Sequence, residues 1–318
     1  MSATETRSKL SVHKRVLKLM GNRFEISVVG DDADWADQRI DLAVAEISRI
    51  ETLLTTFNDD SQTNRINAQA GIAPVKVDEE VYRLIARSLK ISELTQGAFD
   101  ISYGSLDKRL WNFDVNMQAL PDPETAKRSV RLINYRNVLL DEENTTVLLK
   151  EKGMRIGFGG IGKGYAADRA KLVLQNAGVS GGIVNAAGDL VTWGAQPDGR
   201  PWTIAIADPD RADTPFSTLN ISNMAIATSG NYAKYAIING KKYAHTIDPK
   251  TGLPVSGIKS VSIICPSAEF ADAMATPVTV MGVRVGLDMI NQLQHIACVI
   301  VDDHNRLFTS KNINIKNF

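Results

Sequence analysis

The chain has 318 residues, enough for one large or two ordinary domains, and its 44% hydrophobic and 23% charged residues exclude wholesale disorder. Lysine plus arginine and aspartate plus glutamate number 36 each, which removes any global electrostatic case for nucleic acid or an anionic membrane. No apolar run approaches the roughly eighteen residues of a membrane span, and the two cysteines, Cys265 and Cys298, form neither a disulfide framework nor a CxxC metal motif.

Residues 1–15 are polar, carry no apolar signal core, and read as a loose leading segment before one folded unit over 16–318. From Asp34 to Phe57 the apolar Ile40, Val44, Ile47, Leu54 and Phe57 recur at helical spacing behind capping aspartates. Val81, Leu84, Ile85, Ser88, Leu89 and Leu94 predict a second amphipathic helix with Asp78 as its N-cap. Residues 137–149 alternate around a polar turn and predict a hairpin. Short strands are expected around 154–158, 182–186, 202–207, 224–228, 234–238 and 242–247, and a helix over 163–177 that stops at Gly178. The Pro-, Asp- and Gly-rich stretch 196–216 reads as loop. A helical pattern returns at 270–293, followed by strands at 296–301 and 306–309; both cysteines fall in apolar strand-like runs, as buried small hydrophobes do. Mixed helices and strands without a βαβ rhythm, repeats or a flexible linker make the fold class α+β, a single compact unit.

Chemistry concentrates in three places. Gly157-Phe-Gly-Gly-Ile-Gly-Lys-Gly164 holds five glycines in eight residues and opens a helix, where backbone amides can face phosphate oxygens. Two nucleotide motifs overlap it. The dinucleotide fingerprint also wants an acidic residue about 20 positions on, where Asn185 stands and Asp189 comes late. A P-loop needs Ser or Thr where Gly164 stands. In Ala271-Asp-Ala-Met-Ala-Thr276, Asp272 and Thr276 are spaced i, i+4, one carboxylate and one hydroxyl on one helical face, an oxygen set that suits Mg²⁺. Among four histidines, His13, His295 and His304 read as surface residues, whereas His245 ends a strand before the turn Asp248-Pro-Lys-Thr-Gly252, a position for a general base or for a hydrogen-bonded structural histidine.

Taken together these segments resemble the FAD:protein FMN transferases, the ApbE family, from about Met20 to the final strands. The resemblance is carried by Met20-Gly21, Glu51 through Phe57, Gly97-Ala-Phe-Asp-Ile101, Gly159-Gly-Ile-Gly-Lys-Gly-Tyr165 and Ile183-Val-Asn-Ala-Ala-Gly-Asp189. It continues through Ala227-Thr-Ser-Gly-Asn-Tyr232, His245-Thr-Ile-Asp-Pro-Lys-Thr-Gly252 and Ala271-Asp-Ala-Met-Ala-Thr276, in the family's order.

The resemblance implies an ApbE-like fold of mixed sheets with packed helices and Mg²⁺-dependent transfer of FMN from FAD to a threonine hydroxyl of a target protein, with AMP leaving. It implies FAD contacts at Met20, Phe57, Ala98, Phe99, Asp100, Lys163 and Thr246, metal ligands at the Gly160 carbonyl, Asp272 and Thr276, and a base at His245. Two positions depart from the family: Gly157, in the cofactor segment, stands where members commonly have Asp, and Ala275 where some have a second Asp. A Mg²⁺-dependent FAD pyrophosphatase and a non-catalytic FAD-binding protein remain alternatives. Targets in the family are typically subunits of membrane redox complexes. Members mostly work outside the cytoplasm, so a periplasmic or envelope-facing site is expected if a leader has been trimmed, and a cytoplasmic one if the chain is complete.

Overall fold

The computed structural model describes residues 9–107, 119–207, 215–230, 235–238 and 240–313. Its strands are β1 (Ser11–Leu19), β2 (Asn22–Gly30), β3 (Val75–Lys76), β4 (Val138–Asp141), β5 (Thr146–Leu149), β6 (Gly182–Ala186), β7 (Asp189–Trp193) and β8 (Trp202–Ala207). They continue as β9 (Pro215–Ile221), β10 (Ala225–Gly230), β11 (Tyr235–Ile238), β12 (Lys241–Ala244), β13 (Ile258–Cys265), β14 (Ala297–Asp302) and β15 (Leu307–Thr309). The helices are α1 (Ala33–Leu54), α2 (Gln62–Ala68), α3 (Glu79–Leu94), α4 (Pro123–Ser129), α5 (Gly162–Asn176) and α6 (Ala268–Ile290).

An eight-stranded sheet in the order β1-β2-β6-β7-β10-β13-β14-β15 organises the molecule, and each neighbouring pair in it is antiparallel. Such a sheet has neither the parallel strands nor the crossovers of a doubly wound nucleotide fold, which removes both nucleotide-motif readings of the glycine segment. Helices α1, α5 and α6 cover one face and enclose the larger core, with Phe24, Ile26, Ile40, Ile47, Met274 and Ile300 fully buried. The β8–β9 hairpin carries Trp202 and Ile204 into a second cluster with Val29, Leu190, Ile226 and Val299.

Local chemistry explains the boundaries. Asp32 caps α1 by accepting from Trp35 N–H at 2.6 Å. Gly178 (φ 88°) ends α5, with Val179 N–H on the Leu174 carbonyl and Gly178 N–H on that of Gln175, the paired bonds of a glycine C-terminal cap. Asp78 begins α3 without a side-chain cap bond, because its carboxylate accepts from Gln62 Nε2. Both cysteines are buried, and burial pushes the Cys265 thiol up to about 12.

Several expectations are corrected. Residues 11–15, expected in the loose segment, are the first half of β1, paired with β2 through a tight turn; residues 1–8 lie outside the described residues. Residues 154–158 form no strand, although Met154, Ile156 and Phe158 alternate into the core, because Asn67 rather than a neighbouring strand satisfies the Ile156 N–H and carbonyl. β8 lies where a strand is expected at 202–207, whereas β9 begins at Pro215, within the last two positions of the stretch expected as loop; 208–214 lie outside the described residues. By length and mean hydropathy alone α6 reaches what a membrane span requires, but polar residues such as Asp272, Thr276 and Arg284 interrupt it, so it holds no long unbroken apolar run. It is a core helix, packed on α5, β10 and β13, with Pro277 inside and a break at Gly282 (φ 81°, ψ 171°).

Candidate functional site

Turn geometry sets the first wall. Met20 and Gly21 join β1 to β2 with φ of 50° and 70°, the backbone of a two-residue hairpin turn. Glu51 of α1 accepts the Met20 N–H at 2.8 Å and ties the turn to the helix end. Phe57, expected as the last apolar position of this helix, lies beyond it: α1 stops at Leu54, and the following loop is tied to α2. Ser61 Oγ donates to the Thr55 carbonyl at 2.6 Å, and Asn64 Nδ2 to that of Thr56 at 3.0 Å. The Phe57 ring is 99% exposed, an apolar face without packing.

Ala98, Phe99 and Asp100 form the second wall, directly after Gly97 (φ 81°). Asp100 is buried and fully employed. Its Oδ1 accepts from Ser102 N–H at 2.8 Å and Ser102 Oγ at 2.6 Å, and its Oδ2 from Tyr135 N–H at 2.8 Å. Burial raises its pKa while these bonds pull it down. The residue therefore clamps two chain segments behind the wall.

The glycine segment closes the floor. Gly157 N–H donates to the Ile101 carbonyl at 3.1 Å, and α5 begins at Gly162. The amides of Ile161 and Gly162 both donate to the Phe158 carbonyl, at 3.2 and 2.7 Å, and Gly164 N–H donates to Asp272 Oδ2 at 3.0 Å. The phosphate cradle expected of this glycine segment is thus narrower than its glycine count suggests, since four of its amides already have partners. Gly164 has a steric reason to be glycine: a Cβ there would sit 2.1 Å from the Ala268 carbonyl oxygen and 2.8 Å from Asp272 Cβ.

Behind the floor lies a buried charge cluster. Lys163 Nζ donates to Asp189 Oδ2 and stands 3.6 Å from Asp272 Oδ2. Asp189 opens β7 after the two-residue turn Ala187-Gly188, both at positive φ. Burial, reinforced by the Asp272 carboxylate, pushes Asp189 up to about 7 against the pull of Lys163. Burial also raises Asp272 against Lys163 and the Gly164 N–H. For Lys163 burial opposes the charge, but Asp272 and Asp189 outweigh it and raise the ammonium pKa.

His245 and Thr246 follow β12 on a pinned loop. Ala244 N–H donates to the Val255 carbonyl at 2.9 Å, Val255 N–H to that of Thr246 at 3.0 Å, and Ile247 N–H to Tyr103 Oη at 3.2 Å. Asp248 organises the following turn, with Thr251 Oγ1 on its Oδ2 at 3.0 Å. Gly252 (φ 71°) passes so close to α4 that a Cβ would lie 1.9 Å from the Ala126 carbonyl oxygen. His245 is exposed and Thr246 buried.

These walls enclose one cavity of about 1080 Å³. Met20, Phe57, Ala98, Phe99, Asp100, Gly157, Gly160, Lys163, His245, Thr246 and Thr276 all line it; Asp272 alone of the expected site residues does not, lying behind the floor on α6 one turn before Thr276. The cavity also takes in Glu51, Tyr103, Arg155 and Ser229, which sequence reasoning did not assign. Glu51 and Ser229 fall within segments that carry the family resemblance, while Tyr103 and Arg155 had no signal beyond their proximity to such segments. Of the segment 227–232, residues 231 and 232 lie outside the described residues.

Comparison with known proteins matches the ApbE family over residues 20–300. A relative from Salmonella typhimurium named FAD:protein FMN transferase is 31% identical over 283 residues, covering 86% of this chain and 80% of its own. The crystal structure of the ApbE protein from Thermotoga maritima superposes with a TM-score of 0.84 at 30% identity, covering 95% of this chain and 97% of the other. That of the flavinyl transferase ApbE of Pseudomonas stutzeri, in its apo form, gives 0.82 at 27% identity and covers 95% of each chain.

Proposed function

The chain belongs to the ApbE family, and from that premise we propose that it moves the FMN half of FAD onto a threonine hydroxyl of a target protein and releases AMP. The observation that carries this reading is the convergence on one cavity of the Met20 turn, the exposed Phe57 ring, the glycine floor, Lys163 and His245. A volume of about 1080 Å³ sits just above the range of about 300–1,000 Å³ for ligand pockets, room enough for a dinucleotide substrate. Phe57 offers the flavin a ring face, and Lys163 offers the diphosphate an ammonium.

The donor chemistry fits Mg²⁺. Asp272, the Thr276 hydroxyl and the Gly160 carbonyl are hard oxygens, and no group of three or more His, Cys, Asp or Glu side chains is placed to hold a metal among the described residues. One carboxylate with few protein ligands suits an ion that keeps waters and shares substrate phosphates. Mg²⁺, when bound, neutralises charge on the diphosphate oxygens. In the proposed step His245 takes the proton from the incoming threonine hydroxyl, whose oxygen attacks the flavin-side phosphorus. The bond from that phosphorus to the bridging oxygen breaks, and AMP carries the electron pair away. The acceptor is proposed to be a flavin-carrying protein, with a subunit of a membrane redox complex as the first candidate.

Intact mass of an acceptor protein after incubation with FAD and Mg²⁺ tests the reading. An FMN-sized increment is expected. Free FMN and AMP without an increment would mean hydrolysis, and FAD binding without AMP release would mean a non-catalytic carrier. His245→Ala is expected to slow transfer by at least about a hundredfold while FAD still binds, and unchanged turnover would remove the histidine from the step.

A further inference from the structure

A divalent ion approaching Asp272 meets a cation already there. Lys163 Nζ lies 3.6 Å from the same Asp272 oxygen that accepts the Gly164 N–H, so ion and ammonium would repel each other across one carboxylate. Asp189 gives the ammonium a second seat. Its carboxylate is buried, stands at the start of β7 directly after the Ala187-Gly188 turn, and already holds the direct hydrogen bond to Nζ. Lys163 keeps a quarter of its side chain exposed and lines the cavity.

We propose that Lys163 and Asp189 form a cation-exchange pair: the ammonium is shared between Asp189 and Asp272 when no divalent ion is present and is held by Asp189 alone when an ion binds Asp272. Asp189 then sets metal affinity without being a ligand. This rests on the metal reading of Asp272, but neither FAD nor transfer enters its test.

The test is calorimetric titration of the full-length protein with Mn²⁺ in the absence of FAD, run as a double-mutant cycle. Asp189→Asn takes away the second seat and is expected to weaken Mn²⁺ binding about tenfold, and Lys163→Met removes the competitor and is expected to strengthen it about tenfold. Lys163→Met with Asp189→Asn leaves Asp272 as the single buried carboxylate of the cluster instead of two side by side, so it remains informative if Lys163→Met alone fails to fold. It is expected to bind Mn²⁺ more tightly than the parent. An Asp189→Asn loss that is equally large beside Met at position 163 would make Asp189 a direct ligand and overturn the exchange. A double variant that binds no better than the parent would overturn it too. Asp272→Asn separates the two readings, because Mn²⁺ binding unaffected by that change would sink the metal assignment itself.

Discussion

At the scale of single residues the floor of the cavity contains two glycines with opposite tolerances. Around Gly157 the nearest atom to a built Cβ is Thr56 Cγ2 at 4.0 Å, so a side chain fits. At Gly164 the same Cβ would meet the Ala268 carbonyl oxygen at 2.1 Å, and both α5 and α6 would have to move. Gly157→Ala is therefore expected to leave the melting temperature nearly unchanged, while Gly164→Ala costs about 1–3 kcal/mol by overpacking and displaces Asp272. Thermal melts of the two variants decide this, and equal losses would contradict the packing. Much of the residue-level site was legible because its chemistry is local: a glycine run opening a helix, an Asp–Thr pair at i, i+4, and a histidine before a turn. Asp189 as partner of Lys163 was not legible, since the pairing joins residues 26 positions apart through the sheet. Phe57 was misplaced for a related reason, as apolar spacing continued past the point where hydrogen bonds from α2 end the helix.

Between elements, the α5–α6 contact positions the proposed metal ligands. Asp168 on α5 accepts from Ser267 Oγ at 2.8 Å and from the Ala268 and Glu269 amides at 3.0 Å each, while Ser267 caps the Phe270 N–H. One carboxylate thereby satisfies the first orphan donors of α6 and faces the positive end of its dipole. Asp168→Ala leaves those amides without their partner and is expected to cost about 1–3 kcal/mol. Because α6 carries Asp272 and Thr276, the variant is also expected to need more Mg²⁺ for half-maximal activity. A lower melting temperature with an unchanged Mg²⁺ requirement would confine Asp168 to stability. The longer helices were readable from their periodicity, with ends displaced by a few residues. β1, β2, β7 and β9 were not, although β1–β2, β6–β7 and β8–β9 pair with sequence neighbours; the remote pairings of β2 with β6 and of β10 with β13, which span several intervening elements, were not legible either.

Across the whole molecule, the helical layer over the sheet is stitched by one ionic network. Arg49 on α1 bonds Glu46 at 2.8 Å and reaches Glu80 on α3 at 2.7 Å; Arg169 on α5 reaches Glu46 at 2.9 Å. Tyr165 Oη donates to Glu80, and Arg87 on α3 pairs with Glu269 on α6 at 2.6 Å. The Arg49 hydrogen bonds hold Glu46 and Glu80 below the ordinary 4.5, outweighing the opposing effect of burial. Groups with depressed folded pKa values contribute stability that is complete above the unfolded value and is lost as pH falls through the folded one. Glu80→Gln should therefore be less stable than the parent protein at neutral pH, and the difference should shrink as pH drops below about 4.5, where the parent carboxylate also becomes protonated. Denaturant unfolding of both proteins from pH 7 to pH 3 measures that difference directly. A gap that stays constant over the whole range would mean that Glu80 acts through packing rather than charge.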